Sequence, residues 1–181
     1  MSIFEIFLIG AALSMDAFAV CLSSAMVYTN MTRSWKTAMP LAFGIMQGVM
    51  PVLGYFFGSL FADIINKWSG PVVLLILGII GINMIREGIA GEENRPSHRL
   101  TFRVLMLQAV ATSIDAFAVG VSFAATGAPI ATAAPLIAAT TFFLSLIAVF
   151  IGTRLGEKLG DRAEIIGGLV LIGIGVKAMF F

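Results

Sequence analysis

Ser14-Met15-Asp16-Ala17-Phe18-Ala19-Val20 and Ser113-Ile114-Asp115-Ala116-Phe117-Ala118-Val119 are near copies of each other, ninety-nine residues apart. Each places one carboxylate inside a long run of Leu, Ile, Val, Ala and Phe. An ionisable side chain in such a run is costly, which makes it a functional candidate by default. The same cost at matching positions of two halves points to one site built from both. That pattern is the mark of a small transporter assembled from an internal repeat.

Working outward, six apolar runs long enough to cross a bilayer are found at Ile3–Val27, Thr37–Leu60, Gly70–Glu87, Phe102–Ala125, Thr132–Arg154 and Glu164–Phe181. The 181-residue chain is 59% hydrophobic and only 12% charged, with a mean hydropathy of +1.02. A soluble domain carries about 25% charged residues. These observations predict an all-α integral membrane protein of six transmembrane helices, with the lipid bilayer as its solvent. No cleavable leader is expected, because no basic residue precedes the first run and Asp16 interrupts it. A single cysteine, Cys21, excludes an intramolecular disulfide and a thiolate cluster. Nothing in the charge pattern suggests a nucleic-acid partner, and no phosphate-binding glycine loop is present to hydrolyse nucleotide.

Charge distribution sets the topology. Of eleven Lys and Arg, nine lie in or beside alternate connections: Arg33 and Lys36; Arg86, Arg95, Arg99 and Arg103; Arg154, Lys158 and Arg162. The positive-inside rule places those connections in the cytoplasm and both termini outside. Three helices per half then force the second half to enter the membrane inverted. The expected organisation is a first three-helix repeat (1–91), a cytoplasmic linker (92–101) and a second three-helix repeat (102–181), the two related by inverted topology. Asp16 and Asp115 each lie thirteen residues into their run, about 20 Å along a helix and close to the membrane midplane. A two-fold axis in the membrane plane would bring them together.

Other residues correspond across the halves. Gln47 aligns with Ser145, and Gly54 and Gly58 align with Gly152 and Gly156, glycine spacings that read as packing seams. Pro51 removes a backbone donor and frees the Gln47 carbonyl, so Gln47 is expected to line the site. Gln108, Thr112, Asp115 and Ser122 fall on one helical face, suggesting a wet path. Asn83 matches Lys177. The lysine, close to the end of the chain, is expected to snorkel to the outer interface. The candidate metal site is therefore Asp16, Asp115, Gln47, Ser14, Ser113, Thr112 and Asn83. Oxygen donors suit Mg²⁺, Ca²⁺ or Mn²⁺, and no histidine lies in any membrane run. Chemistry reaches a hard or borderline divalent cation and leaves both its identity and the direction of transport open. Two carboxylates in one low-dielectric cavity cannot both stay ionised without a cation, so exchange for H⁺ is expected.

The two Asp motifs, with Gly120-Val121 after the second and the run Ala163-Glu164-Ile165-Ile166-Gly167-Gly168-Leu169-Val170-Leu171-Ile172-Gly173-Ile174-Gly175-Val176, resemble the bacterial manganese efflux pump family of the lysine exporter superfamily. The resemblance covers essentially the whole chain. It implies a multi-pass exporter of Mn²⁺ in the bacterial plasma (inner) membrane, with no cofactor beyond the transported ion and with the paired aspartates essential. A monomer or small homo-oligomer is expected. Gln47 departs from relatives that carry an acidic residue there, so affinity or selectivity is expected to differ. Two alternatives stand beside this reading. One is export of Cd²⁺ or an amino acid, disfavoured for the amino acid because Lys177 looks badly placed to hold its carboxylate. The other is an intramembrane aspartyl protease, whose Gly-x-Gly-Asp signature is missing around both aspartates.

Overall fold

A computed structural model describes residues 2–28, 31–90, 100–159 and 162–180, with the side chains of 58–70 and a few others outside that description. Among the described residues there are six helices and no strands: α1 (Ile3–Val27), α2 (Arg33–Ala90), α3 (Phe102–Thr112), α4 (Ile114–Thr126), α5 (Ile130–Leu159) and α6 (Arg162–Phe180). Four stretches are long and apolar enough to cross a membrane, Ile3–Val27, Arg33–Phe57, Phe102–Thr126 and Ile130–Gly156. Pro71–Arg86 and Ile165–Lys177 are shorter apolar segments. The linker expected at 92–101, with His98, lies outside the described residues except for Leu100 and Thr101.

The count of six matches expectation, but the six are not the expected ones. The second and third runs belong to one helical element, α2, which contains Pro40, Pro51 and Pro71. The fourth run, expected to be continuous, is broken at Ser113 into α3 and α4. Ser113 has φ −103° and ψ 3°, outside the helical range. The cause is local. Ser113 Oγ donates to the Ala109 carbonyl (2.7 Å) and Thr112 Oγ1 to the Gln108 carbonyl (3.0 Å). The Ser113 amide drops back to Val110 O (3.1 Å), a tighter turn than the α-helix allows. Consecutive hydroxyl back-bonds of this kind bend helices.

Helix ends follow ordinary rules. Ser2 and Glu5 form a reciprocal capping box at the start of α1, and Thr101 Oγ1 accepts from the Val104 amide at the start of α3. Gly127, at φ 66°, closes α4 in the left-handed region and lets the Ala128 amide return to Phe123 O at 2.9 Å.

The bundle encloses polar side chains among its apolar core and is apolar outside. Ser14, Gln47, Gln108, Ser113, Thr141 and Ser145 are fully buried, whereas Phe4, Leu41, Phe56, Leu75, Phe143 and Phe150 are exposed. Water would make that distribution unfavourable; hydrocarbon makes it natural. Close helix approach replaces the hydrophobic effect as glue. A Cβ on Gly152 would lie 2.6 Å from Leu22 O of α1, and one on Gly81 would lie 2.6 Å from Gly168 O of α6. Gly54 and Gly120 pack α2 onto α4 in the same fashion, against the backbones of Phe117 and Pro51. Gly54 and Gly152, aligned in the sequence, are thus both helix-crossing points.

Contacts also give relative directions. Gly10 meets Ile137 and Gly152 meets Leu22, so α1 and α5 run parallel. Gly44 meets Phe142 while Gly48 meets Ala134, so the first part of α2 runs antiparallel to α5. Leu74 meets Gly175 while Ile85 meets Gly168, so the Pro71–Arg86 segment runs antiparallel to α6.

Candidate metal centre

Asp16 sits in mid-α1, on a continuous helix. Its neighbour Ser14 faces the other way. Ser14 Oγ donates to Gly10 O (2.5 Å) and shares a hydrogen bond with Thr141 Oγ1 of α5 (2.8 Å). Asp115 occupies the first turn of α4, directly after the Ser113 break. One of its oxygens, Oδ1, accepts from the Ala116 amide at 2.9 Å. The unpaired N–H groups and positive dipole end of α4 are therefore beside the carboxylate.

The two aspartates converge. Ser24 of α1 exchanges hydrogen bonds with Gln108 of α3 (Oγ to Oε1 3.3 Å, Nε2 to Oγ 3.1 Å), which ties the two helices together. Asp16 lies eight residues before Ser24 on α1, and Asp115 lies seven residues after Gln108. The charges of Asp16, Asp115 and Lys177 act on one another.

Lys177 is the residue whose place differs from expectation. Instead of turning to the outer interface it donates to Asp16, Nζ to Oδ1 3.0 Å. A signal for this existed: a lone lysine and a lone aspartate in apolar helices are expected to pair with each other. The objection that Lys177 is badly placed for an anionic cargo does not survive this geometry.

Gln47 is fully buried on α2. Its Nε2 donates to Leu13 O at 2.8 Å, one turn before Asp16. Its Oε1 has no hydrogen-bond partner among the described residues, an omission that ordinarily costs about 1–3 kcal/mol. A buried acceptor left open on the helix that contacts α1 one turn before Asp16 is an oxygen that a cation could use.

The remaining expected donors are not gathered here. The hydroxyls of Thr112 and Ser113 are bound to carbonyls of α3. Asn83 is exposed, between Gly81 and Ile85, which both pack on Gly168. Gly168 is nine residues from Lys177, about 13 Å along α6 at 1.5 Å per residue. The stripe expected from Gln108 to Ser122 also does not hold, because the break at Ser113 intervenes: Gln108 and Thr112 are buried, while Asp115 and Ser122 are exposed. Among the described residues no group of three or more His, Cys, Asp or Glu is clustered. Cys21 is buried beside Ser145, while Met15 is exposed and Met46 borders an apolar groove, so no sulfur site forms.

Apolar-faced helices packed through glycine seams around buried polar groups, with two aspartates in the apolar runs, define a multi-pass membrane protein. Comparison with known proteins gives the family. The sequence profile of the family described as "Putative manganese efflux pump" matches residues 30–179, and the chain belongs to that family. Among relatives named "Putative manganese efflux pump MntP", the protein of Ruminiclostridium cellulolyticum is 40% identical, over 100% of this chain and 99% of the relative. That of Methanobrevibacter smithii is 39% identical, over 98% and 97%. "Putative manganese efflux pump MntP 1" of Wolinella succinogenes is 43% identical, over 97% and 96%. The family is one of transporters, not enzymes, which removes the protease alternative. No solved structure matches the chain.

Proposed function

We propose that the chain exports Mn²⁺ from the cytoplasm across the inner membrane by alternating access, the ion passing between Asp16 and Asp115 in exchange for protons. The names of the full-length relatives support the cargo and direction. One observation carries the site: two carboxylates from different halves of the sequence lie within electrostatic reach of each other, one turn along from a buried amide oxygen that lacks a partner. Carboxylate and carbonyl oxygens are the donors Mn²⁺ accepts. Asp16, Asp115 and Gln47 Oε1 are the protein ligands, and water completes the shell. Ser14, Ser113 and Thr112 support the site by shaping helices.

The architecture we infer is two inverted three-helix repeats, 1–91 and 102–181, joined by the cytoplasmic linker 92–101, with both termini outside; the two apolar parts of α2 count as two crossings and α3 with α4 as one. Helix directions support it: α1 runs parallel to α5 and antiparallel to α6, and the Pro71–Arg86 segment runs antiparallel to α6. The aligned motifs differ in shape, α1 being continuous at Ser14 while its counterpart breaks at Ser113. Alternating access follows if the break moves from one motif to the other when the cavity changes sides.

The test is growth of a manganese-sensitive strain. Asp16→Asn and Asp115→Asn keep shape and remove charge, and each is expected to abolish manganese resistance while the protein still inserts, because one carboxylate cannot offset the cost of desolvating a divalent ion. Wild-type resistance from the double variant would refute the site.

A further inference from the structure

The pairing of Lys177 with Asp16 is unusual in its exposure. The lysine side chain is 61% exposed and the aspartate 28%. A structural ion pair in a membrane interior would be enclosed on all sides, with both partners further hydrogen-bonded. Here the ammonium instead reaches in from the edge of the bundle to a single carboxylate oxygen, Oδ1. It comes from the last turn of α6, where a cation is favoured by the helix dipole whether or not it touches Asp16. A four-carbon stem lets the ammonium swing away without moving the helix. Near it, Gly173 is exposed and has no neighbour within 4 Å of where its Cβ would be, so this face of α6 is uncovered.

We propose that Lys177 is a tethered counter-cation of the Asp16–Asp115 site: its ammonium occupies Asp16 when cargo is absent, and a divalent ion binds by displacing it. This rests on the two-aspartate reading of the site and adds how that site is emptied. A bound divalent ion and the ammonium compete for the same oxygen, and both are repelled when brought together. Binding therefore expels the lysine, and the lysine's return helps expel the ion. The carrier avoids holding its cargo too tightly to release it. It also avoids crossing back with two uncompensated carboxylates.

The competition is read by Mn²⁺ titration of the purified protein in lipid nanodiscs, with free Mn²⁺ followed by its electron paramagnetic resonance signal. Lys177→Gln removes the competitor and is expected to tighten Mn²⁺ binding about tenfold, the scale of a partly exposed ion pair, while slowing export by vesicles. Lys177→Arg keeps the charge with a better grip on carboxylate and should bind no tighter than wild type. Unchanged or weaker binding by folded Lys177→Gln would overturn the inference.

A second measurement needs no variant. Mn²⁺ should raise the labelling of Lys177 by an amine-reactive ester, read by peptide mass spectrometry, because displacement frees the ammonium. Constant or reduced labelling would overturn the inference even if Lys177→Gln failed to fold. Asp16→Asn with Asp115→Asn separates the two levels. If that protein still binds Mn²⁺ like wild type, the carboxylate site fails and the lysine's role with it. If it does not bind, negative lysine results overturn only the tethered cation.

Discussion

Gln47→Leu separates a ligand from a structural amide, because the two roles predict opposite consequences. The substitution removes one hydrogen bond, Nε2 to Leu13 O at 2.8 Å. Leu13 O keeps its helical partner in α1, so no carbonyl is orphaned. A hydrogen bond of this kind contributes about 1 kcal/mol, and within membranes about 0.6 on average. The same substitution removes Oε1, buried without a partner, whose desolvation costs about 1–3 kcal/mol. Leucine fills nearly the same volume. The net effect on stability is expected to lie between zero and about 2 kcal/mol in favour of the variant, seen as an unchanged or slightly raised midpoint in detergent thermal unfolding. Transport should fall by at least tenfold in a vesicle Mn²⁺ uptake assay, since a neutral oxygen donor is lost from the ion. Gln47→Glu adds a third carboxylate and should tighten Mn²⁺ binding while slowing its release. A Gln47→Leu protein that transports at the wild-type rate would refute the role as ligand. One that loses stability by 2 kcal/mol or more would show the amide to be structural.

Two further outcomes test orientation and coupling. In a Cys21→Ser background, a cysteine at Thr32 should react with an impermeant maleimide only from the cytoplasm and one at Thr126 only from outside; the same sidedness for both would refute the inverted arrangement. In inside-out vesicles, Mn²⁺ uptake should drive protons the opposite way and respond to an imposed pH gradient. Flux indifferent to that gradient would leave a uniporter driven by the ion gradient and membrane potential.

What was legible in the sequence was whatever depended on the bilayer. Hydrocarbon forbids unpaired backbone, so the first apolar run, read as roughly Ile3–Val27, marked where α1 lies. Duplicated motifs pointed to Asp16 and Asp115 because an intramembrane charge is too costly to be incidental. The features that were not legible depend on how helices meet. Lys177 read alone looks like an interfacial anchor, and its pairing needs the antiparallel register of α1 and α6, in which Ser23 and Val27 meet Gly167 while Asp16 meets Lys177. Ser14 and Ser113 have the same local sequence and make the same back-bond four residues earlier. Thr112 adds a second back-bond beside Ser113 where Leu13 stands beside Ser14, and tertiary contact differs as well. Ser14 is also tied to Thr141 of α5, whereas Ser113 is followed by a carboxylate drawing on the start of a new helix.

That difference leads to the last prediction, on Ser113 itself. Its hydroxyl holds the Ala109 carbonyl at 2.7 Å in place of the helical amide bond, while its own amide sits on Val110 O. Ser113→Ala removes the competing donor. The α-helical bond to Ala109 then has no rival, and the α3–α4 break should become less favourable by about 1 kcal/mol, the net worth of one such hydrogen bond. In a carrier that must alternate between a broken and a continuous helix, that shift changes the ratio of the two states about fivefold. Spin labels flanking Ser113, at Leu107 and Ser122, would report it as a population moving to the distance of a straight helix, about 22 Å between backbone positions at 1.5 Å per residue. The corresponding change at Ser14 removes the competing donor on Gly10 O and the Thr141 contact together, two opposed effects, so labels across Ser14 should move less than those across Ser113. If both variants leave both distance distributions as in wild type, the break at Ser113 is a fixed kink. The inverted halves would then have to alternate by rocking as rigid bodies around Asp16 and Asp115, without exchanging helix shape.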